Sequence, residues 1–121
     1  MRTPGLKTMI LDLDAHQGDG YARDFANDAS VSIMDVYNGD VFPHDEDAAR
    51  RIDVAVKLPS HTKTKKYLTL LRENLAQALK THQPGLIVYV AGMSLSLSLS
   101  GIVTHSDWRA RHGLHVRGPV G

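Results

Sequence analysis

The sequence predicts an α/β fold with a mainly parallel sheet and crossover helices. Three observations carry this. Apolar runs of strand length recur at residues 8–13, 31–37 and 86–90. A long stretch at residues 63–82 sets leucines at helical spacing between two strand-like runs, the pattern of a crossover between parallel strands. An acid- and glycine-rich segment follows the first run at once, and ligand groups of α/β sheets gather at such strand ends.

The elements follow in order. Residues 8–13 are apolar and lie between Gly5 and an Asp cluster, so they read as a buried strand. Residues 21–27 suit a short helix with Asp19 as its cap. Residues 31–37 form a second buried strand, ended by the turn signal Asn38-Gly39-Asp40. Residues 45–51 begin a helical turn, and residues 52–58 alternate as a half-exposed strand does. The helix at 63–82 carries Leu68, Leu71, Leu75, Ala78 and Leu79 as an apolar stripe. Lys80 and His82 suit its C-terminal dipole, and Pro84-Gly85 ends it. Residues 86–90 then read as the next buried strand. Beyond it, residues 95–100 alternate Leu and Ser, and residues 105–121 carry scattered Arg and His without periodicity, as a poorly ordered tail does. Trp108 in that tail reads as a local packing anchor.

Composition narrows the function. The 121 residues suffice for one small domain. A net charge of +1 gives no global drive toward nucleic acid or a membrane surface. The absence of cysteine removes disulfides, zinc fingers and thiol catalysis. No run reaches transmembrane length. A buried strand so near the N-terminus leads us to expect further elements before it.

The chemistry concentrates in Asp12-Leu13-Asp14-Ala15-His16 and the turn Gln17-Gly18-Asp19-Gly20. Alternate residues of a strand share a face. Asp12, Asp14 and His16 therefore converge if the chain stays extended, or curl around one point if a loop starts after Asp14. Carboxylates with a neutral imidazole are a usual ligand set for a divalent metal. The simpler reading is that the aspartates cap and shape turns. An Asp-x-Asp after an apolar run also occurs in phosphatases that use the first Asp as nucleophile, but His16-Gln17-Gly18 fits that pattern poorly. Arginase-type enzymes carry a further Asp where this chain has Gly18.

The run from Ile10 to Gly20 resembles the zinc-dependent histone deacetylases. Agreement continues through Arg23-Asp24-Phe25, Ile33 to Asn38, Phe42-Pro43 and Leu86 to Gly92. Gln17 and the Met34-Asp35-Val36-Tyr37-Asn38 stretch are most similar to the class IV, histone deacetylase 11-like, branch. The resemblance implies a partial arginase/deacetylase fold over residues 1–104, with residues 105–121 divergent. It implies Asp14 and His16 as two of three zinc ligands. It also implies Asp12, Asp35 and Val36 at a neighbouring monovalent-cation site, usually potassium, and Phe42 on the wall of an acyl-lysine channel. Histone or other protein acyl-lysine is the implied substrate. No direct nucleic-acid or membrane partner is implied, and the nucleus or cytoplasm is the implied location.

The departures are as specific as the matches. Ser94 stands where the family carries its third zinc ligand, and His44 stands where it usually has Gly. No catalytic histidine pair and no oxyanion tyrosine is retained; Tyr21, Tyr37, Tyr67 and Tyr89 sit in other contexts. His105 and Asp107 have no spacing that would replace the lost ligand. The expectation is a truncated deacetylase domain, inactive alone. The alternatives are a non-catalytic fragment that binds a cation or a partner, and the phosphatase.

Overall fold

The computed structural model describes residues 5–92. Ser94, the Leu-Ser repeat, His105, Asp107, Trp108 and the 105–121 tail lie outside the described residues.

Four parallel strands form one sheet in the order β3-β2-β1-β4. In chain order the elements are β1 (Thr8–Asp12), α1 (Gly20–Asp24), β2 (Val31–Asn38), α2 (Glu46–Arg51), β3 (Val54–Leu58), α3 (Thr64–His82) and β4 (Leu86–Val90). The chain steps one way from β1 to β3, then α3 carries it back past both to β4. Right-handed crossovers in opposite directions place their helices on opposite faces. The core divides accordingly. Met9, Met34, Val36, Val56 and Leu58 lie beneath α3. Ile10, Ile33, Ala22, Ala48 and Ile52 fill the layer with α1 and α2. The α/β expectation and every strand and helix placed within residues 5–92 are found, with ends shifted by a few residues.

Local chemistry sets the element ends. Asp19 accepts from the Gly20 amide at the start of α1. Asp45 caps α2 by accepting from the Ala48 amide at 2.9 Å. α3 ends on Gln83, held in the left-handed region at φ 46° immediately before Pro84. Arg51 fastens the turn after α1. Its guanidinium donates to the carbonyls of Phe25 (2.9 Å), Asp28 (3.3 Å) and Val31 (2.7 Å) and pairs with Asp53. Asp53 in turn accepts from the Ile33 amide at 2.7 Å. The α1–β2 turn is thus tied to the start of β3.

Two expectations need correction. The buried stripe of α3 is rotated from the one anticipated: Tyr67, Leu70, Leu71, Leu75 and Ala78 face the core, while Leu68 and Leu79 are exposed. The helix lies over β2 and β3, so that face, one step around the axis, is the one covered. β4 is not a buried strand. Leu86, Ile87, Val88 and Tyr89 are 43–59% exposed, because α3 packs over β2 and β3 and no described helix covers β4 in the same way.

Candidate functional site

The Asp12–His16 motif starts where β1 stops. Asp12 is the last strand residue, and the next residues curl instead of continuing the pleat. The Asp14 amide donates to Asp12 Oδ1 at 2.8 Å, and the His16 amide donates to Asp14 Oδ1 at 2.7 Å. Each Asp thus turns the chain two residues on, as Asp side chains do in turns. The turn-forming and ligand readings of these aspartates are compatible in this geometry. The loop is anchored by the Asn38 amide, which donates to the Ala15 carbonyl at 2.9 Å. The buried Gln17 side chain holds the main chain of Asp45 through two bonds, 2.6 and 2.9 Å long.

The motif separates into an inner and an outer part. Asp12 and Asp35 form the inner part, register partners on neighbouring strands, 3% and 0% exposed. Tyr21 of α1 donates its hydroxyl to Asp12 Oδ2 at 2.6 Å. The Gly18 amide donates to Asp35 Oδ2 at 2.8 Å, whereas Asp35 Oδ1 is buried with no hydrogen-bond partner. Burial raises the Asp12 carboxyl above its ordinary range. Burial, with the charges of Asp12 and Asp14 added, pushes Asp35 up to about 8. The Tyr21 phenol is raised well above its usual value, first by burial and then by the Asp35 and Asp12 charges, so it stays a donor.

Asp14 and His16 form the outer part. The His16 ring Nδ1 lies 3.2 Å from Asp14 Oδ1, with the imidazole 44% and the carboxylate 21% exposed. Gly92, just past β4, closes this side. A Cβ on Gly92 would collide with the Asp14 carboxylate, so only glycine lets the strand end come so near. The β1–β4 pairing places the Ala91-Gly92 segment beside the motif.

The remaining anticipated residues are spread more widely. Val36 is fully buried on the α3 face; its side chain has no donor atom, so only its main-chain carbonyl suits a cation. Phe42 is 76% exposed on the β2–α2 loop. His44, in the family's glycine position, has φ 53°, a left-handed conformation that glycine adopts at less cost. Tyr21 was missed as a site residue, because nothing local marks a tyrosine nine positions after Asp12 as its partner. The burial of Asp12, 3% exposed, weakens the phosphatase alternative, since a nucleophile must reach the phosphate.

The donor set suits cations of two kinds. The Asp35 oxygen without a partner among the described residues, on the register partner of Asp12, is a hard oxygen donor, as an alkali cation requires. Asp14 and His16 offer one carboxylate and one imidazole, as zinc accepts. Among the described residues, no group of three His, Cys, Asp or Glu side chains is placed to hold one metal. No described helix is long and apolar enough to cross a membrane.

Known proteins are similar to this chain in sequence. The chain is 44% identical over 89 residues to Histone deacetylase 2 of Arabidopsis thaliana, a match covering 74% of this chain and 23% of that protein. It is 33% identical over 87 residues to an uncharacterized protein of Picosynechococcus, covering 72% of this chain and 28% of that one. The chain therefore spans about a quarter of the length of these curated relatives. The family model for the histone deacetylase domain matches residues 2–97 and so takes in the whole described sheet. With that domain extending over most of its length, the chain belongs to the histone deacetylase family.

Proposed function

We propose that this chain carries the ligand-bearing part of a zinc-dependent protein lysine deacylase centre, with Asp14 and His16 as two zinc ligands. The Asp12–Asp35 pair, with the Val36 carbonyl, would hold a monovalent cation, potassium in preference, behind them. One observation carries the reading: Asp12, Asp14 and His16 follow one another at the end of β1 with Asp35 as the register partner of Asp12, and Asp35 keeps a buried oxygen without a hydrogen-bond partner among the described residues. A bound zinc polarises an amide carbonyl and lowers the pKa of its water. The chain's own residues orient that centre. Asp12 and Tyr21 fix the start of the motif, Asp14 fixes the His16 main chain, and Gly92 leaves room for Asp14. Phe42, exposed beside the β2–α2 loop, is offered to an acyl-lysine stem from a histone or another protein. We place the protein in the class IV branch on Gln17 and Met34-Asp35-Val36-Tyr37-Asn38, and in the nucleus or cytoplasm.

Alone, this polypeptide should not hydrolyse acyl-lysine. Two side-chain ligands hold zinc less tightly than three, and Ser94 lacks the charge of a carboxylate. Losing a general base and an oxyanion donor removes about two decades of rate each. A cobalt or zinc titration of the purified chain is expected to show one saturable site. Asp14→Asn and His16→Ala should each abolish it, with circular dichroism unchanged. Titration without saturation, or unaltered in both variants, would remove the zinc assignment. Metal-dependent cleavage of an acetyl-lysine peptide, lost in His16→Ala, would overturn the predicted inactivity. A second, non-catalytic reading, a cation-binding fragment, rests on the orphaned Asp35 oxygen. It predicts potassium-dependent stabilisation without zinc binding.

A further inference from the structure

A cavity of about 180 Å³ lies on the α2 side of the sheet, between β2, β3 and the loop that leads into α2. Its floor is a cross-strand pair, since Tyr37 and Lys57 are register partners. The Tyr37 ring is 6% exposed, yet its hydroxyl forms no hydrogen bond with a described residue. Lys57 makes no hydrogen bond with a described residue, but it lies within electrostatic reach of Asp40, whose carboxyl is held below its ordinary range by the Ser60 bonds first and by His44 and Lys57 after them. Its stem lies across Gly39, where any side chain would strike it. The lysine is therefore directed along the cavity wall by the missing side chain at position 39.

We propose that this cavity binds a small carboxylate, gripped by the Lys57 ammonium and the Tyr37 hydroxyl. Two donors from paired strands line one cavity, one of them charged, and together can address the two oxygens of a carboxylate. The polar groups opposite define the charge limit. Glu46 lines the far rim, and Asp45 beside it already pairs with Arg23 and the Ala48 amide. Two acids so placed repel a dianion such as phosphate more than a monoanion. Gln17 offers nothing to the ligand, because both ends of its amide are spent on Asp45. His44 completes the rim. The site lies apart from the Asp14–His16 pair and does not depend on zinc.

The test follows the backbone amides of Gly39 and Lys57 by NMR in the ¹⁵N-labelled chain, at constant ionic strength. Sodium acetate, inorganic phosphate and a blocked Gly-Glu-Gly peptide are titrated separately. Acetate is expected to give a saturable shift, and phosphate none below tenfold higher concentration (about 1.4 kcal/mol). Lys57→Met and Tyr37→Phe should each weaken acetate by about tenfold, in line with the loss of one bond to a charged group, and Lys57→Arg should restore most of it. Peptide binding at similar strength would identify an acidic side chain as a source of the carboxylate, and acetate binding alone a free acid. Shifts that never saturate, equal binding of phosphate, or unchanged affinity in folded Lys57→Met would overturn the proposal.

Discussion

The two outer strands of the sheet, β3 and β4, have five residues each and similarly apolar sequences, but opposite fates. β3 buries Val56 and Leu58 under α3, and Arg51 and Asp53 lash its start to β2. β4 leaves four of its five residues largely exposed. The difference lies in what covers each strand. Both are edge strands among the described residues, but α3 lies over β2 and β3 and not over β4. Apolar composition made each a strand, and cover decided whether its side chains became core.

The largest effect expected from this contrast is a paired truncation. Leu58→Ala should cost about 3 kcal/mol in urea unfolding, as typical for a buried leucine. Leu86→Ala should cost less than about 1 kcal/mol, because the side chain is half exposed already. Equal costs would mean that β4 is covered in solution as fully as β3.

A smaller effect concerns the inner strands, which hold the buried acids while β4 holds no titratable group but Tyr89. The Asp35 carboxyl, ordinarily near 3.8, titrates at about 8 in the folded chain. Between those values the folded chain keeps a proton that the unfolded chain has lost. Unfolding then releases a proton, so stability falls as pH rises from about 4 to about 8. Urea midpoints across that range should show the downward slope, Asp35→Asn should flatten it, and potassium should reduce it. A midpoint that rises with pH would contradict the burial of Asp35 without a counter-charge.

The smallest effect lies in the β2–α2 loop. Replacing His44 at φ 53° with glycine removes a left-handed penalty and should raise stability by about 0.5–1 kcal/mol, read from the thermal midpoint. No gain would show that contacts of the imidazole offset its strain.

Much of this was legible in the residues because the signals were local. Apolar runs located β1 and β2, alternation β3 and the 3.6-residue period α3, Asp19 marked the start of α1, and the Asp-x-Asp-x-His spacing marked the candidate site. What escaped depended on partners distant in sequence. The exposure of β4 depends on where α3 lies, and the rotation of the α3 stripe depends on the strands beneath it. Tyr21 becomes a site residue only because α1 folds back over the end of β1. The Asp12–Asp35 juxtaposition was implied only by the resemblance, because it requires a register that neither strand specifies alone. The roles of Asp14, His16 and Phe42 were carried by the resemblance, and they are the ones the metal titration puts at risk.

The strand order also has a kinetic consequence. Thr8 pairs with Val31 in one direction and with Leu86, 78 positions later, in the other. Closing the second loop costs more chain entropy, and folding slows as such long-range pairings dominate. The β1-β2-β3 unit can therefore assemble while the chain is still being made, whereas Gly92 reaches Asp14 only after α3 has been laid across the sheet. The contact of Gly92 with Asp14 is expected to form after the β1-β2-β3 unit, and a chain stopped before residue 86 would carry the aspartates and histidine without the β4 end that packs against Asp14.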